Sequence, residues 1–237
     1  LHPRVRRQRQ MCIRDRNLFD KITDVNNKTK KEVIIMSFIK SLENRRTIYA
    51  LGRNVQDEAK VIETIKEAVR FSPTAFNSQT GRLLILTGDA QDKLWDEIVA
   101  PELKAAMEAQ GVPESAWDNT RAKLDGFKAA FGTILFFEDQ AVVKNLQEQF
   151  ALYADNFPVW SEQGSGIISV NVWTALAELG LGANLQHYNP LIDEAVAKEW
   201  NLPESWKLRG QLVFGSIEAP AGEKTFMDDS DRFIVAK

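Results

Sequence analysis

Apolar residues recur with helical spacing in several parts of the chain. The clearest stripe, within residues 57–70, consists of Val61, Ile62, Ile65, Ala68 and Val69. This spacing is typical of an amphipathic helix, and Asp57 is a suitable N-cap. Similar patterns predict helices over residues 37–46, 90–109, 114–130 and 192–200.

Three short apolar runs have the length and composition of buried strands. They cover residues 82–87, 133–137 and 212–217, and glycines bound the first of them; residues 184–188 are a further candidate strand. Runs of this length between turn residues predict strands. Because they alternate with helices, the sequence predicts one layered α/β or α+β domain.

The segment from Ile167 to Leu179 predicts the most apolar helix, with no charged residue between Ile167 and Ala177. A helix that is apolar on all sides belongs in the protein centre or in a subunit interface. Gly180 and Gly182 after it predict left-handed backbone. Before it, Gly164-Ser165-Gly166 predicts a flexible entry. Residues 232–235 predict an edge strand or an arm.

The composition excludes several classes of protein. The 237 residues include one cysteine, Cys12, and two histidines, so an internal disulfide is impossible and a reducing, cytoplasmic location is expected. No uncharged apolar run reaches the roughly 20 residues that cross a bilayer. We therefore expect no membrane association. Residues 36–237 contain no cysteine and one histidine, His187, so we expect no metal site of the zinc type and no cysteine nucleophile there.

The basic residues are concentrated at the start of the chain. Residues 1–35 contain ten Lys or Arg and four Asp or Glu, and residues 36–237 contain 20 and 29. A basic arm is compatible with nucleic-acid binding, but we expect none. Residues 31–36 can be encoded as a ribosome-binding sequence followed by a start codon at Met36, and residues 11–16 as a transposon end. We therefore predict that residues 1–35 are a non-native or disordered extension, a hypothesis that the nucleotide sequence tests.

Three segments carry candidate chemistry. The first, Arg45-Arg46-Thr47 with Tyr49, offers paired guanidinium donors and hydroxyl groups that suit a phosphate. The alternative is that these arginines only complement the dipole of the preceding helix.

The second segment, residues 71–79, contains Asn77 and Gln79, whose carboxamides both donate and accept hydrogen bonds. They suit a heterocycle edge or a hydroxylated chain, although a polar loop of this composition needs no ligand.

The third segment, residues 179–188, contains Gly180-x-Gly182. These glycines close a helix, so they are not a dinucleotide fingerprint, which must open one. They permit close approach to a flat ligand, although they could be only a helix cap, and His187 only a hydrogen-bonded side chain. Lys224 and Arg232 flank an acidic segment near the end and, considered alone, indicate only a charged surface.

The order of these segments resembles that of the nitroreductase family of flavin enzymes, in particular its short branch of bacterial copper-inducible enzymes and fungal relatives. The resemblance covers residues 36–237. It implies an α+β fold with a central mixed or antiparallel sheet flanked by helices, and a domain completed by a homodimer partner. It also implies FMN at the subunit interface.

The resemblance further implies site residues. By this resemblance, the FMN phosphate is bound by Arg45, Arg46 and Thr47, together with Arg232 and Lys224. The ribityl chain and the pyrimidine edge are contacted by Asn77 and Gln79. The ring is bordered by the backbone from Leu181 to Ala183, including Gly182, and by Gln186 and His187. Tyr49 replaces a basic residue of many larger members, so the phosphate site is expected to differ in detail.

The implied activity is ping-pong hydride transfer from NADH or NADPH through FMN to a nitroaromatic or quinone-like acceptor. The flavin supplies this chemistry and the protein supplies orientation, so no catalytic nucleophile is expected, and protons come from water or from a residue such as His187. The alternative is a flavin-binding regulatory or stress-response protein whose turnover is incidental.

Overall fold

The computed structural model describes residues 38–237 of the chain. Asn44 and Arg45 mark the boundary between two compact units. The first unit is described only over helix α1, residues 38–44. Residues 1–35, which the sequence predicts to be a non-native or disordered extension, lie outside the described part.

In the second unit, Arg45–Lys237, α-helices precede and follow the strands along the chain. The helices are α2 (Glu58–Arg70), α3 (Gly88–Lys93), α4 (Ala100–Ala109), α5 (Ser115–Lys128), α6 (Gln140–Gln149), α7 (Phe157–Glu178), α8 (Asp193–Glu199) and α9 (Asp229–Arg232). The strands are β1 (Leu51–Gly52), β2 (Gly81–Thr87), β3 (Gly132–Asp139), β4 (Gly182–Gln186) and β5 (Trp206–Ile217). A π-helical turn, Leu94–Val99, joins α3 to α4, and 3₁₀ turns cover Ala75–Asn77 and Ala151–Asn156.

The sheet has the order β1-β5-β3-β2, and β4 also pairs with β5. All pairs of named strands are antiparallel. One parallel bridge, Thr47 to Ala183, attaches the segment after α1 to β4. This bridge matters for the site because it fixes the arginines that precede Thr47 against the end of the sheet.

Both faces of the sheet are buried, which explains the continuous apolar runs of β3 and β5. Leu135 and Phe137 belong to a core with Trp95 of the π-helical turn. Their neighbours along the strand, Ile134 and Phe136, belong to a second core with α2 and α7. Alternate side chains of a strand point to opposite faces, so every residue of such a run is apolar when helices cover both sides.

The α+β fold and most predicted elements are confirmed. Helix α2 begins after Asp57, whose carboxylate accepts a hydrogen bond from the Lys60 N–H at 2.9 Å. Strands β2 and β3 contain the two predicted runs, while β4 begins two residues before the prediction and β5 six residues before it. The predicted helix over 90–109 is confirmed as α3, the π-helical turn and α4 in succession.

The prediction for the start of the apolar helix was wrong. Helix α7 begins at Phe157, and Gly164-Ser165-Gly166 lies inside it rather than at a flexible entry. Pro158 in the first turn fits this start, because proline is favoured where its missing N–H has no helical acceptor. The sequence prediction also omitted α6, whose N-cap Asp139 accepts from the Ala141 N–H.

Two further predictions need correction. Gly180 is left-handed, with φ of +75°, but Gly182 is a buried residue of β4. A Cβ there would lie 2.9 Å from atoms of Ile48, Leu51 and Ile217, so packing rather than backbone conformation requires this glycine. Of the two alternatives for residues 232–235, the edge strand was wrong, because Arg232 ends α9 and Ile234 is 96% exposed; the arm stays a prediction.

No helix of residues 38–237 combines the length and apolar character needed to cross a membrane. Within the same residues, no group of three or more His, Cys, Asp or Glu side chains is arranged to hold a metal ion.

Candidate functional site

Four of the predicted phosphate-binding residues lie around one surface cavity, which we call the basic cavity. It has a volume of about 390 Å³ and is lined by Arg45, Arg46, Thr47, Ala221, Gly222, Glu223, Lys224 and Thr225. Three cations therefore face one carboxylate. Such an excess of guanidinium and ammonium donors favours an anion, and above all a phosphate.

The backbone holds the arginine segment of the basic cavity in place. Beyond the Thr47 bridge, the Ile48 N–H donates to the Ala183 carbonyl at 2.9 Å. The buried Asn184 amide donates to the Ile48 carbonyl at 2.8 Å. On the other side, Arg46 Nη2 donates to the Gly222 carbonyl at 2.5 Å. Segments 176 residues apart are thus joined at the cavity.

A second cavity of about 430 Å³ runs along α7, and we call it the α7 cavity. Its lining consists of Arg45, Glu162, Ser165, Gly166, Ser169, Val170, Trp173, Leu185, His187, Arg209 and Gly210. Arg45 lines both cavities, and its guanidinium carbon lies 4.5 Å from the centre of the Trp173 ring. The two cavities are therefore adjacent, one basic and the other partly apolar.

The spacing of the α7 residues explains why they share this cavity. Glu162, Ser165, Ser169 and Trp173 recur at intervals of three or four residues, and Gly166 lies three residues before Ser169, so they share one side of the helix. A Cβ added at Gly166 would meet nothing within 4 Å. This side of α7 therefore borders the cavity from Glu162 to Trp173 and leaves open space at Gly166.

Trp173, which lines the α7 cavity, has an unpaired donor. The Trp173 indole N–H is buried and has no acceptor among residues 38–237. Buried N–H groups are nearly always hydrogen-bonded, so a polar group of a ligand is the natural acceptor for this donor.

Glu162 and Arg209 add a carboxylate and a guanidinium to the lining of the α7 cavity. Arg209 Nη2 forms an ion pair with Glu162, and Arg209 Nε lies 3.5 Å from Glu138 Oε1. Glu138 is 2% exposed. Burial raises the pKa of Glu138, and Arg209 partly opposes that shift.

The structure brings together only some of the predicted site residues. Arg45, Arg46, Thr47 and Lys224 share the basic cavity, and Arg45 and His187 share the α7 cavity. Arg232 lines neither cavity, and its guanidinium instead lies 5.7 Å from the Phe233 ring. Tyr49 is 63% exposed and also lies outside both.

The predicted ring contacts around the glycines are mostly turned away from the cavities. Leu181 and Gly182 are buried in the fold, and the Gln186 amide donates to Asn184 at 2.8 Å. The residues of this segment that line the α7 cavity are Leu185 and His187. Alternation along β4 explains the difference, because successive side chains point to opposite faces.

Asn77 and Gln79 lie in an exposed loop that lines neither cavity of this chain. Phe76, Asn77 and Gln79 have φ of 57°, 49° and 47°, values that non-glycine residues rarely adopt. The Gln79 N–H donates to Thr74 Oγ1 at 3.0 Å, which stabilises this turn. Strained loops of this kind are found at functional sites.

Comparison with known proteins identifies the chain. Residues 42–216 match the family model described as the nitroreductase family. The chain belongs to this family. The yeast nitroreductase relative HBN1, from Saccharomyces cerevisiae, is 40% identical over 199 residues, which are 81% of this chain and 94% of HBN1.

Solved nitroreductase structures agree with this assignment. Nitroreductase CinD from Lactococcus lactis in complex with nicotinic acid is 94% identical, with a TM-score of 0.80, over 84% of this chain and 100% of CinD. The CinD complex with 4-nitrophenol is 92% identical over the same shares of the two chains, with a TM-score of 0.78. The expected resemblance to bacterial and fungal nitroreductases is confirmed, and the chain is an oxidoreductase of this family.

Sequence reasoning missed three residues of the α7 cavity: Glu162, Trp173 and Arg209. Glu162 lies in the part of α7 that was not predicted as helix. Trp173 was assigned to a core helix, and Arg209 precedes the predicted strand 212–217. Recognition of the three- and four-residue spacing from Glu162 to Trp173 could have identified the open side of α7.

Proposed function

We propose that this nitroreductase binds FMN, with its phosphate in the basic cavity and its ring in the α7 cavity. The observation that carries this proposal is the contact of the two cavities at Arg45. FMN combines a dianionic phosphate with a flat heterocycle, and the pair of cavities offers cations on one side and a tryptophan with apolar neighbours on the other.

The residues present fit this cofactor. Arg45, Arg46 and Lys224 supply cations and Thr47 supplies a hydroxyl, while residues 36–237 as a whole have an excess of nine acidic side chains. A local basic cluster is needed to hold a dianion on such a chain. The unpaired N–H of Trp173 is a donor that the oxygen and nitrogen acceptors of a flavin could satisfy.

Bound FMN supplies hydride and electron transfer, so the chain itself needs to orient the reactants rather than to react with them. Arg45 supports this role because its guanidinium bridges the basic cavity and the Trp173 ring. His187 lines the α7 cavity and is available as a proton donor, as is water.

We infer that NADH or NADPH is the reductant and that nitroaromatic or quinone-like compounds are acceptors. The 4-nitrophenol complex of CinD supports the first class of acceptor, since that protein is 92% identical. Turnover is ping-pong in this proposal, because the reductant and the acceptor react in succession at the same face of the bound flavin.

A visible spectrum of the purified protein is the first test. We expect the yellow absorption of an oxidised flavin, its rapid loss on anaerobic addition of NADH or NADPH, and its return on addition of 4-nitrophenol. A colourless protein that binds no added FMN contradicts the proposal. A yellow protein that neither nicotinamide bleaches supports the alternative, a flavin-binding regulatory or stress-response protein.

We further propose that the chain functions as a homodimer in which Asn77 and Gln79 contact the flavin bound to the partner. Their loop lines neither cavity of its own chain, and Phe76 is half exposed. Apolar residues Ile167 and Val170 of α7 are also exposed, as are Ile234 and Val235 at the C-terminus. Burial of such surface on a second copy is favourable.

Mixed dimers test this arrangement. If Arg46 of one subunit and Asn77 of the other serve the same flavin, a hybrid of R46A and N77A subunits contains one intact site. That hybrid should recover about half of the wild-type tight flavin binding. Hybrids of two R46A subunits with different tags are the matched control. No recovery, or a monomer in sedimentation experiments, contradicts the proposal.

We propose that residues 36–237 form the FMN-binding domain, located in the cytoplasm, and that residues 1–35 take no part in the activity. A protein that begins at Met36 should retain flavin content and turnover. It should also match the full chain in showing no salt-dependent DNA binding, which a functional basic arm would cause.

A further inference from the structure

The loop that contains Asn77 and Gln79 has a strained backbone, because Phe76, Asn77 and Gln79 all have positive φ. Residues in such conformations persist only where the surrounding structure holds them. The side chains of Asn77 and Gln79 are exposed, so burial of these side chains does not supply that hold. Hydrogen bonds to the backbone of the loop supply it instead.

Two side chains hold the backbone of Gln79. Its N–H donates to Thr74 Oγ1 at 3.0 Å, and its carbonyl accepts a hydrogen bond from Arg82 Nη1 at 2.7 Å. The same Nη1 also donates to the Gly81 carbonyl at 3.0 Å. Both hydrogen-bonding groups of the Gln79 backbone are therefore occupied, which fixes its left-handed conformation.

Arg82 is itself fixed by the sheet and by a carboxylate. It belongs to β2 and is aligned with Phe137 in the continuous register between β2 and β3. Its Nη2 donates to Asp139 Oδ2 at 3.0 Å, and the Asp139 side chain is only 13% exposed. A guanidinium presents its donors in a rigid planar fork, so Arg82 binds the aspartate and the loop carbonyls at the same time.

Asp139 attaches this arrangement to the rest of the fold. Its Oδ1 accepts from the Ala141 N–H at 3.1 Å at the start of α6, and its own N–H donates to the Thr80 carbonyl at 2.9 Å. The buried hydroxyl of Thr80 accepts from Ser161 Oγ of α7 at 3.0 Å. The end of the loop is thus anchored to β3, α6 and α7.

We propose that Arg82 is a positioning residue for cofactor binding, which holds the backbone of Gln79 so that its carboxamide is preorganised for the flavin. Arg82 lines neither the basic cavity nor the α7 cavity, so it acts through Gln79. A loop held in its binding conformation loses less entropy when the ligand binds. The inference rests on the proposed function, in which Gln79 contacts the flavin bound to the partner subunit.

The variant R82K separates the ion pair of Arg82 from its hold on the loop. Lysine keeps a positive charge for Asp139 but lacks the fork that also reaches Gln79. Titration of the apoprotein with FMN should show an affinity about 3- to 10-fold weaker in R82K than in wild type, the scale of one hydrogen bond. Unchanged affinity would overturn the inference.

A double-mutant cycle with Q79A tests whether Arg82 acts through Gln79. In the Q79A background, R82K should change FMN affinity by less than about twofold, because the carboxamide that Arg82 positions is already absent. The absorption spectrum of the bound flavin should shift in the same direction in R82K and Q79A, and the double variant should have the spectrum of Q79A. Additive losses of affinity, or a loss in R82K without a spectral shift, overturn the inference.

R53K is the matched control. Arg53 also pairs with an aspartate, Asp92, and donates to a backbone carbonyl, that of Lys128, at 2.9 Å, but it lies outside both cavities. R53K should leave FMN affinity within about twofold of wild type, and a loss equal to that of R82K would overturn the inference.

D139N replaces R82K in the cycle if R82K does not fold. Asparagine remains a good N-cap for α6, but it removes the charge that orients the Arg82 guanidinium. D139N should weaken FMN binding in the wild-type background and not in Q79A. Equal losses in the two backgrounds would overturn the inference.

Failure of the proposed function gives a different result from failure of this inference. If the wild-type protein binds no FMN, the proposed function is refuted. Hydrogen exchange of the Gln79 N–H in the apoprotein then decides whether Arg82 holds this residue, and it should be faster in R82K and unchanged in R53K. Normal FMN binding by wild type and by R82K refutes only the inference about Arg82.

Discussion

The arginines of the two cavities differ in what surrounds them. Within residues 38–237, Arg45 and Arg46 have no carboxylate within ion-pair distance, and they contact a tryptophan ring and a backbone carbonyl. Arg209 has two carboxylates, one of them buried. A guanidinium without a carboxylate is available for an anionic ligand, whereas one with a buried carboxylate mainly holds the fold together.

This difference in surroundings predicts that loss of Arg209 lowers the free energy of unfolding more than loss of Arg46 does. R209A leaves the buried Glu138 without its cation, and breaking such a pair costs about 3 kcal/mol. Urea unfolding at neutral pH should show this loss of free energy, and the double variant E138Q/R209A should recover most of it. An R209A protein within about 0.5 kcal/mol of wild type would mean that Arg209 is not needed to neutralise Glu138.

Loss of Arg46 should affect ligand binding instead. R46A should weaken FMN binding by about 1.5 to 3 kcal/mol, the scale of a hydrogen bond to a charged group, while the stability of the apoprotein changes by less than about 1 kcal/mol. Flavin titration of the apoprotein measures the first quantity and urea unfolding the second. R53A is the control, because Arg53 is already paired with Asp92 outside both cavities. Unchanged flavin affinity in R46A would show that Arg46 does not bind the flavin phosphate.

Lys224 should contribute less than Arg46. It is exposed and lies in a segment without regular structure, so K224A should weaken FMN binding by roughly 0.3 to 1 kcal/mol. Added salt should reduce this difference, because solvent-exposed charges are screened. Titrations at two salt concentrations check both statements, with K198A on α8 as the control. A loss as large as that of R46A would show that Lys224 is an equal partner in the basic cavity.

The smallest expected effect is the dependence of protein stability on pH. Burial raises the pKa of Glu138 above its ordinary 4.5, so the folded protein retains this proton at pH values where the unfolded chain has lost it. Stability should therefore fall as pH rises from 4.5 towards the raised pKa, and E138Q should show a weaker fall.

Urea unfolding between about pH 5 and pH 8 measures this slope. The pKa of Asp193 is also raised by burial, and its contribution of the same sign remains in E138Q. The pKa of Asp96 is lowered by Lys128 and Arg121 against its own desolvation, so Asp96 changes stability only at lower pH. E148Q, on the surface of α6, should keep the wild-type slope. A steeper fall in E138Q would contradict the assignment.

Much of the fold could be predicted from residue patterns. The stripe on α2 and the buried runs of β2 and β3 have unambiguous periods, and Asp57 supplies a local cap. The beginning of α7 could not be predicted in this way. Its first ten residues contain Gly164 and Gly166, which favour loops when considered locally, and only packing against the sheet stabilises a helix through them.

The sequence predicted only part of the candidate site, because only some of its residues can be recognised from a local pattern. Arg45, Arg46, Thr47 and His187 carry a chemical signature in the sequence itself, and they line the two cavities. Glu162, Trp173 and Arg209 have no such signature. They belong to the site only because α7 packs on the sheet, so that Glu162 and Trp173 line one cavity with Leu185 of β4 and Arg209 of β5.

The sequence by itself determined most of the helices and strands, α6 and the beginning of α7 excepted, and where an anion-binding pair of arginines occurs, because these depend on the periodicity and chemistry of neighbouring residues. The tertiary structure alone decided which charges are neutralised. Arg46 and Arg209 are the same residue type, and what separates them is the distance to carboxylates far away in the chain. That distance is set by strand pairing and helix packing, which no local pattern encodes.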